Sequence, residues 1–204
     1  MLDNAKARRS VARFVDPVAR FMLRLKVTPD GITWFGCGAT IVVSVAFLAQ
    51  GEFLIGAILF GLFGLIDVLD GTMARMLGTA GPWGAFLDST LDRISDAAVI
   101  CALVYFYINA NSENNNLATV AGIIALVMSL MTSYARAKAE SLDATCTVGI
   151  AERAERNLII WIALLISALV SDVMPYALVL LASVSTITVI QRILFVRKQL
   201  VLKA

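Results

Sequence analysis

The sequence predicts an all-α membrane protein, with six spanning helices preceded by an amphipathic helix lying along one membrane face. Three observations carry that reading. Apolar residues make up 59% of the 204-residue chain and charged residues only 16%, against about 45–50% and 25% in soluble domains. The apolar residues gather into runs long enough to cross a bilayer. Basic residues fall on alternate connections between those runs.

The runs occupy residues 31–50, 52–75, 84–108, 117–139, 155–172 and 175–197. Ahead of them, residues 1–28 form a separate juxtamembrane segment, leaving 29–204 as the membrane domain. Val11, Phe14, Val18, Met22 and Leu25 recur there at helical spacing, with Arg9, Arg13, Arg20 and Arg24 between them. An apolar stripe flanked by arginines suits an anionic membrane surface. Asp16-Pro17 is expected to bend or restart this helix. The connections at Gly51-Glu52, Asn109–Asn116 and Ser171–Met174 hold no Lys or Arg. The N-terminus, the 76–83 and 140–154 connections and the C-terminus share the other side, with nearly all seventeen basic residues. That asymmetry places both termini in the cytoplasm.

The chain has no histidine. Histidine-based acid–base chemistry, Ser-His-Asp triads and most zinc and haem sites are thereby excluded. Cys37, Cys101 and Cys146 are far apart and read as buried or membrane-embedded thiols. No nucleic-acid partner is expected.

The chemistry is concentrated at the cytoplasmic ends of the second and third spans. The second carries Asp67-Val-Leu-Asp70-Gly71-Thr-Met-Ala74-Arg75; eight residues later the third opens Gly84-Ala-Phe-Leu-Asp88-Ser-Thr-Leu-Asp92. Residues three and four apart share a helix face. Asp67, Asp70, Gly71 and Arg75 therefore line one face, and Gly84, Asp88, Asp92 and Asp96 another. The short link makes these helices antiparallel neighbours whose acidic faces converge. Carboxylates gathered at a membrane repel one another and take up protons unless a cation compensates. Oxygen-only ligands suit Mg²⁺, Mn²⁺ or Ca²⁺. Gly71 and Gly84 remove side chains where a ligand or the partner helix must come close. Arg75 is placed to pair with phosphate. Arg93 and Asp96 read as support residues. The competing structural reading is interhelical salt bridges to Arg75 and Arg93.

The run D-x-x-D-G-x-x-A-R, an eight-residue gap, then G-x-x-x-D-x-x-x-D resembles the signature of the CDP-alcohol phosphotransferases. All eight fixed positions are present between Asp67 and Asp92. The resemblance implies metal-dependent transfer of a phosphatidyl-type group from a CDP-linked lipid to an alcohol, releasing CMP. It makes Asp67, Asp70 and Asp88 metal ligands, and Asp92 the general base and a further ligand. It implies two divalent ions, Mg²⁺ or alternatively Mn²⁺, and a homodimer in a bacterial cell membrane. Two such ions would neutralise the phosphates and stabilise the attacking and leaving oxygens.

Thr28-Pro29-Asp30-Gly31-Ile32-Thr33 opens the first span, with Asp30 expected as the helix cap. Family members carry a similar segment that helps hold the cytidine nucleotide. Asp30, Gly31, Ile32 and Thr33 therefore join Gly71 and Arg75 as donor-site candidates. Gly81, in the link, could offer its backbone N–H.

A second basic cluster comprises Arg136 and Lys138 at the end of the fourth span, Arg153 and Arg156 at the start of the fifth, and Arg192 in the sixth. It would suit a phosphorylated acceptor, or lipid headgroups by snorkelling. Ser-Tyr-x-x-Ala-x-Ala-Glu followed by Ile-x-Glu-Arg-x-Glu-Arg is similar to the bacterial phosphatidylinositol-phosphate synthases of that family. The implied donor and acceptor are then CDP-diacylglycerol and an inositol phosphate. The alternatives are a glycerol 3-phosphate acceptor and, from another class, a divalent-cation transporter. A transporter should carry polar groups through the full membrane depth, whereas these acids cluster near one face.

Overall fold

The structure is a computed structural model. It describes residues 5–110, 113–170 and 173–203, with side chains from Val15 onward except at Asp67 and at 202–203. The described residues are helical and contain no strand. They form α1 (Ala5–Arg24), α2 (Pro29–Ala46), α3 (Phe53–Leu77), α4 (Pro82–Asn109), α5 (Asn115–Glu140), α6 (Arg153–Ser167) and α7 (Val173–Lys203).

Each predicted span coincides with a helix, and the departures have local causes. α2 stops at Ala46, and a 3₁₀ turn over Leu48–Gln50 follows, closed by Gly51 at φ +82°. Glycine occupies this left-handed conformation without a Cβ penalty. α6 ends at Ser167 rather than 172. The Leu169 N–H bonds Ile166 O at 2.9 Å, a three-residue step that tightens the last turn. Apolar residues continue to Val170, so hydropathy could not register this stop. α7 runs six residues past its predicted end, because Arg197–Lys203 contains good helix formers. α1 passes through Pro17 unbroken, so the expected restart does not occur. Its first apolar and basic positions, Arg9, Val11, Arg13 and Phe14, lie outside the described side chains.

Among the described residues, four stretches are long and apolar enough to cross a membrane: Pro29–Gln50, Phe53–Leu77, Asn115–Glu140 and Val173–Val201. Their outer faces stay open, with Val42, Val45, Leu62 and Leu65 each more than half exposed. Apolar surface on this scale is disfavoured in water and favoured in lipid. The chain is a multi-pass membrane protein. α4 carries Asp88, Asp92 and Arg93 in its first half and Asp96 just beyond it, and α6 has only 15 residues.

The chain divides into two compact units: Met1–Val42 with Ile58–Ser95, and Val43–Ala57 with Asp96–Ala204. In the first, α2 is the shared scaffold. Ile32 packs with Ala19 of α1 and Met73 of α3, surrounded by Met22, Leu23, Val27, Ile66 and Leu69. Cys37 packs with Leu87 and Leu91 of α4, beside Ile41.

In the second unit α5 and α6 both pack on α7. α5 buries Ala118, Ala121, Gly122, Ala125 and Ser129 along one stripe. Small residues allow close helix approach in membranes; a Cβ at Gly122 would lie 2.5 Å from Val104 Cγ2. The connection after α5 is fastened to α7. Ala139, Ala144 and Cys146 form a core with Val196 and Leu200. The Gln199 amide accepts from Thr145 N–H at 3.0 Å and donates to Thr145 O at 2.7 Å.

Candidate active site

The acid helices are held by one face of α2. Asp30, Thr33 and Cys37 stand at i, i+3 and i+7, which a helix places on one side. Thr33 Oγ1 donates to Asp70 Oδ2 of α3 at 2.7 Å. Cys37 Sγ lies 3.6 Å from the carbonyl of Leu91, the residue before Asp92 on α4. Trp83 Nε1, at the start of α4, donates to Asp30 Oδ2 at 2.8 Å. Three successive contacts therefore fix α4, α3 and α4 again.

The local folding of α2 differs from expectation in one respect. Its cap is Thr28, whose Oγ1 accepts the Gly31 N–H at 3.1 Å, with Pro29 in the first helical position. Proline suits that position because its missing N–H would have been unpaired there. Asp30 is therefore not the cap, and its carboxylate is available to bond across to Trp83.

Asp70 and Asp92 are buried, at 6% and 8% exposure, and Asp88 is half-buried. Besides Thr33, Asp70 accepts the Gly71 N–H at 2.5 Å. Arg93 Nη1 lies 3.6 Å from Asp92 Oδ2 and donates to Ser89 O. Asp67 lies in α3, but its side chain is outside the described residues. Arg75 is exposed and donates to Thr72 Oγ1 at 3.0 Å. Each of these two arginine contacts lies within a single helix.

Of the two approaches expected at Gly71 and Gly84, by a ligand or by the partner helix, no helix comes close among the described residues. A Cβ at Gly84 would meet no atom within 4 Å, and at Gly71 only Arg75 Nη1 at 3.4 Å. The two glycines border open space beside the acids instead. Among the described residues no three acidic, thiol or imidazole groups gather closely enough to hold an ion, and Asp67 is not among those assessed. The fit to a hard divalent cation rests on the donor chemistry, which is oxygen throughout.

Of the other donor-site candidates, Gly31 and Gly81 are exposed at helix starts. Ile32 is 7% exposed in the first core, which leaves only its backbone for a ligand.

The basic cluster falls in the second unit, where two of its arginines face Asp96. Arg153 Nε lies 3.5 Å from Asp96 Oδ1, and Arg156 Nη2 lies 3.8 Å from Oδ2. Asp96 thus faces both arginines at the start of α6. Arg156, 4% exposed, also donates to Ala151 O at 3.2 Å. Arg192, 3% exposed, donates from Nε to Val148 O at 2.9 Å and from Nη1 to Thr132 O at 2.6 Å. Thr188 Oγ1 accepts the Ala151 N–H at 3.1 Å. The Val148–Ala151 segment is thereby strapped to α7 directly before Arg153. Arg136 is exposed and pairs with Glu140 at 2.9 Å, one turn along its own helix; Lys138 is exposed.

Sequence reasoning missed the partners: Cys37, Trp83, Thr132, Thr188 and Gln199. Trp83 had a visible signal, an aromatic residue with a polar N–H beside the motif. Cys37 had one too, since it lies seven residues from Asp30. Nothing in the sequence marked the other three.

An all-helical membrane fold with aspartates on two successive helices defines a membrane-embedded carboxylate enzyme. The chain belongs to the CDP-alcohol phosphatidyltransferase family, whose model matches residues 26–190. It is 40% identical to the phosphatidylinositol phosphate synthase of Cutibacterium acnes, over 97% of this chain and 98% of that one. It is 39% identical to the archaetidylinositol phosphate synthase of Methanothermobacter thermautotrophicus, over 93% and 92%. Among solved structures it resembles the Mycobacterium tuberculosis phosphatidylinositol phosphate synthase with CDP-DAG bound, with a TM-score of 0.85, 36% identity and coverage of 91% and 94%. The same enzyme in complex with manganese and citrate gives 0.84 and 35%, covering 89% of this chain and 88% of that one.

Proposed function

We propose that this chain transfers the phosphatidyl group of CDP-diacylglycerol to an inositol phosphate, giving phosphatidylinositol phosphate and CMP. The observation that carries the reading is the complete eight-position motif on α3 and α4, both seated on the one face of α2. The acceptor follows from the relatives. Two of them differ by name in their lipid, phosphatidyl against archaetidyl, and share inositol phosphate.

Asp67, Asp70, Asp88 and Asp92 would hold the metal, two ions of Mg²⁺ or Mn²⁺. Bound there, the ions would neutralise the pyrophosphate and stabilise charge on the leaving CMP. Asp92 takes the proton of the acceptor hydroxyl. The freed oxygen attacks the lipid-side phosphorus, a new P–O bond forms, and the bond to CMP breaks. Asp30, Gly31, Thr33, Gly71, Arg75 and Gly81, with the Ile32 backbone, bind the nucleotide and its phosphates. Arg153 and Arg156 receive the acceptor's phosphate, assisted by Arg136 and Lys138. Arg192 serves the same pocket by holding the Val148–Ala151 strap.

In this reading α2 to α7 all span the bilayer, the acidic one-half of α4 and the short α6 being sheltered by their neighbours. α1 lies on the cytoplasmic face of a bacterial cell membrane, both termini are cytoplasmic, and the enzyme is a homodimer. The test is CMP release from CDP-diacylglycerol with inositol phosphate, glycerol 3-phosphate or free inositol. Turnover should require the inositol phosphate. Turnover with glycerol 3-phosphate alone would overturn the acceptor while leaving the reaction class standing.

A further inference from the structure

Trp83 is the side chain that the reaction as written does not use, although it touches a donor-site candidate. It follows Pro82 at the start of α4, and both it and Phe86 are 61% exposed. The two rings lie 6.1 Å apart at 31°, one turn along the same helix. An exposed tryptophan beside a membrane commonly serves as an interfacial anchor, with its N–H turned to water or lipid headgroups. Here the N–H is directed at a protein carboxylate, Asp30 Oδ2, at 2.8 Å across 53 residues of sequence.

That bond has a directional consequence. Asp30 is in the first turn of α2, where a short acidic side chain has several rotamers and backbone N–H groups to choose among. Thr28 already caps the turn through the Gly31 N–H. The indole then fixes Oδ2 and leaves Oδ1 of the same carboxylate to accept from a ligand. A cytosine base offers an exocyclic amine, a donor that a fixed carboxylate oxygen can receive.

We infer that Trp83 is a positioning residue for the CDP-linked donor: its indole N–H holds the Asp30 carboxylate in the orientation that receives the nucleotide. The inference rests on the reading of Asp30 as a donor contact.

The test measures kcat, KM for CDP-diacylglycerol and KM for the acceptor in full-length W83F, D30A, D30N and the two double variants. Phenylalanine keeps the apolar body and removes the N–H. W83F should raise the donor KM roughly three- to tenfold, the range expected for one net hydrogen bond, with kcat and the acceptor KM near wild type. In the D30A background W83F should add nothing, because the two act as one unit. In the D30N background it should still act, since the amide oxygen can accept from the indole. An unchanged donor KM in W83F overturns the inference. So does an equal effect of W83F with and without Asp30, which would mark an anchor or a direct stacking contact. A silent D30A removes the donor reading of Asp30 itself, a pattern distinct from both.

Discussion

Thr33→Val tests whether α2 sets the geometry of the acids. The substitution is nearly isosteric and removes the hydroxyl that donates to Asp70 Oδ2 at 2.7 Å. Asp70 is only 6% exposed, so water cannot readily replace that donor. A hydrogen bond to a charged group contributes about 1.5–3 kcal/mol. The Thr33 hydroxyl also lies 3.1 Å from Pro29 O, so its single proton is shared and the lower end applies. About 1.5 kcal/mol corresponds to roughly tenfold in an equilibrium constant, which matches the low end of outer-shell effects on metal affinity. The assay is CMP release as a function of Mg²⁺ or Mn²⁺ concentration. The half-saturating metal concentration should rise about tenfold, and excess metal should recover most of the maximal rate. The reasoning is refuted if the metal dependence is unchanged in a variant that is folded and membrane-inserted.

Three further outcomes are expected. Asp92→Asn should abolish CMP formation yet retain metal binding by the other three acids, measured by calorimetry; retained turnover would remove Asp92 as the base. Arg192→Lys cannot reproduce a guanidinium that reaches Val148 O and Thr132 O at once. It should cost about 1–3 kcal/mol, seen as a lower Tm, and should raise the acceptor KM while leaving the donor KM near wild type. Gly149 has φ +141°, and a Cβ there would lie 2.6 Å from Thr188 Cγ2. Gly149→Ala should therefore cost about 1–3 kcal/mol of backbone strain and weaken acceptor binding in the same way; an unchanged acceptor KM in either variant would sever the strap from the acceptor site.

Much of this was legible in the sequence. The helices announced themselves through apolar run length, and the acid motif through its three- and four-residue spacing, because both are periodic in the chain. The helix stops were less legible. α6 ends at Ser167 by a change of backbone hydrogen bonding within a largely apolar run that continues to Val170, and hydropathy does not sense that. The Asp30 cap assignment failed because Thr28 and Asp30 are both good capping residues, and only the placement of Pro29 at the first helical position decides between them. Partners such as Thr188 and Gln199 were out of reach for another reason: they act on residues 37 and 54 positions away. Arg192 reads as a phosphate ligand by its charge, and the carbonyls that engage two of its five donors lie 44 and 60 positions away, where the sequence gives no signal.

The contacts of α2 at positions 30, 33 and 37 have one more consequence. They depend on helical phase rather than on distance along the chain. One residue inserted between Thr33 and Cys37 would turn everything beyond it by about 100° without changing a single motif residue. Asp30 and Thr33 could keep Trp83 and Asp70, but Cys37 and its apolar neighbours would leave Leu91. The acids on α3 and α4 would then be referenced to two different azimuths. The helix thus acts as a key whose teeth set Trp83 and the carboxylates in common register, so the intact sequence of every family position does not by itself guarantee a working site.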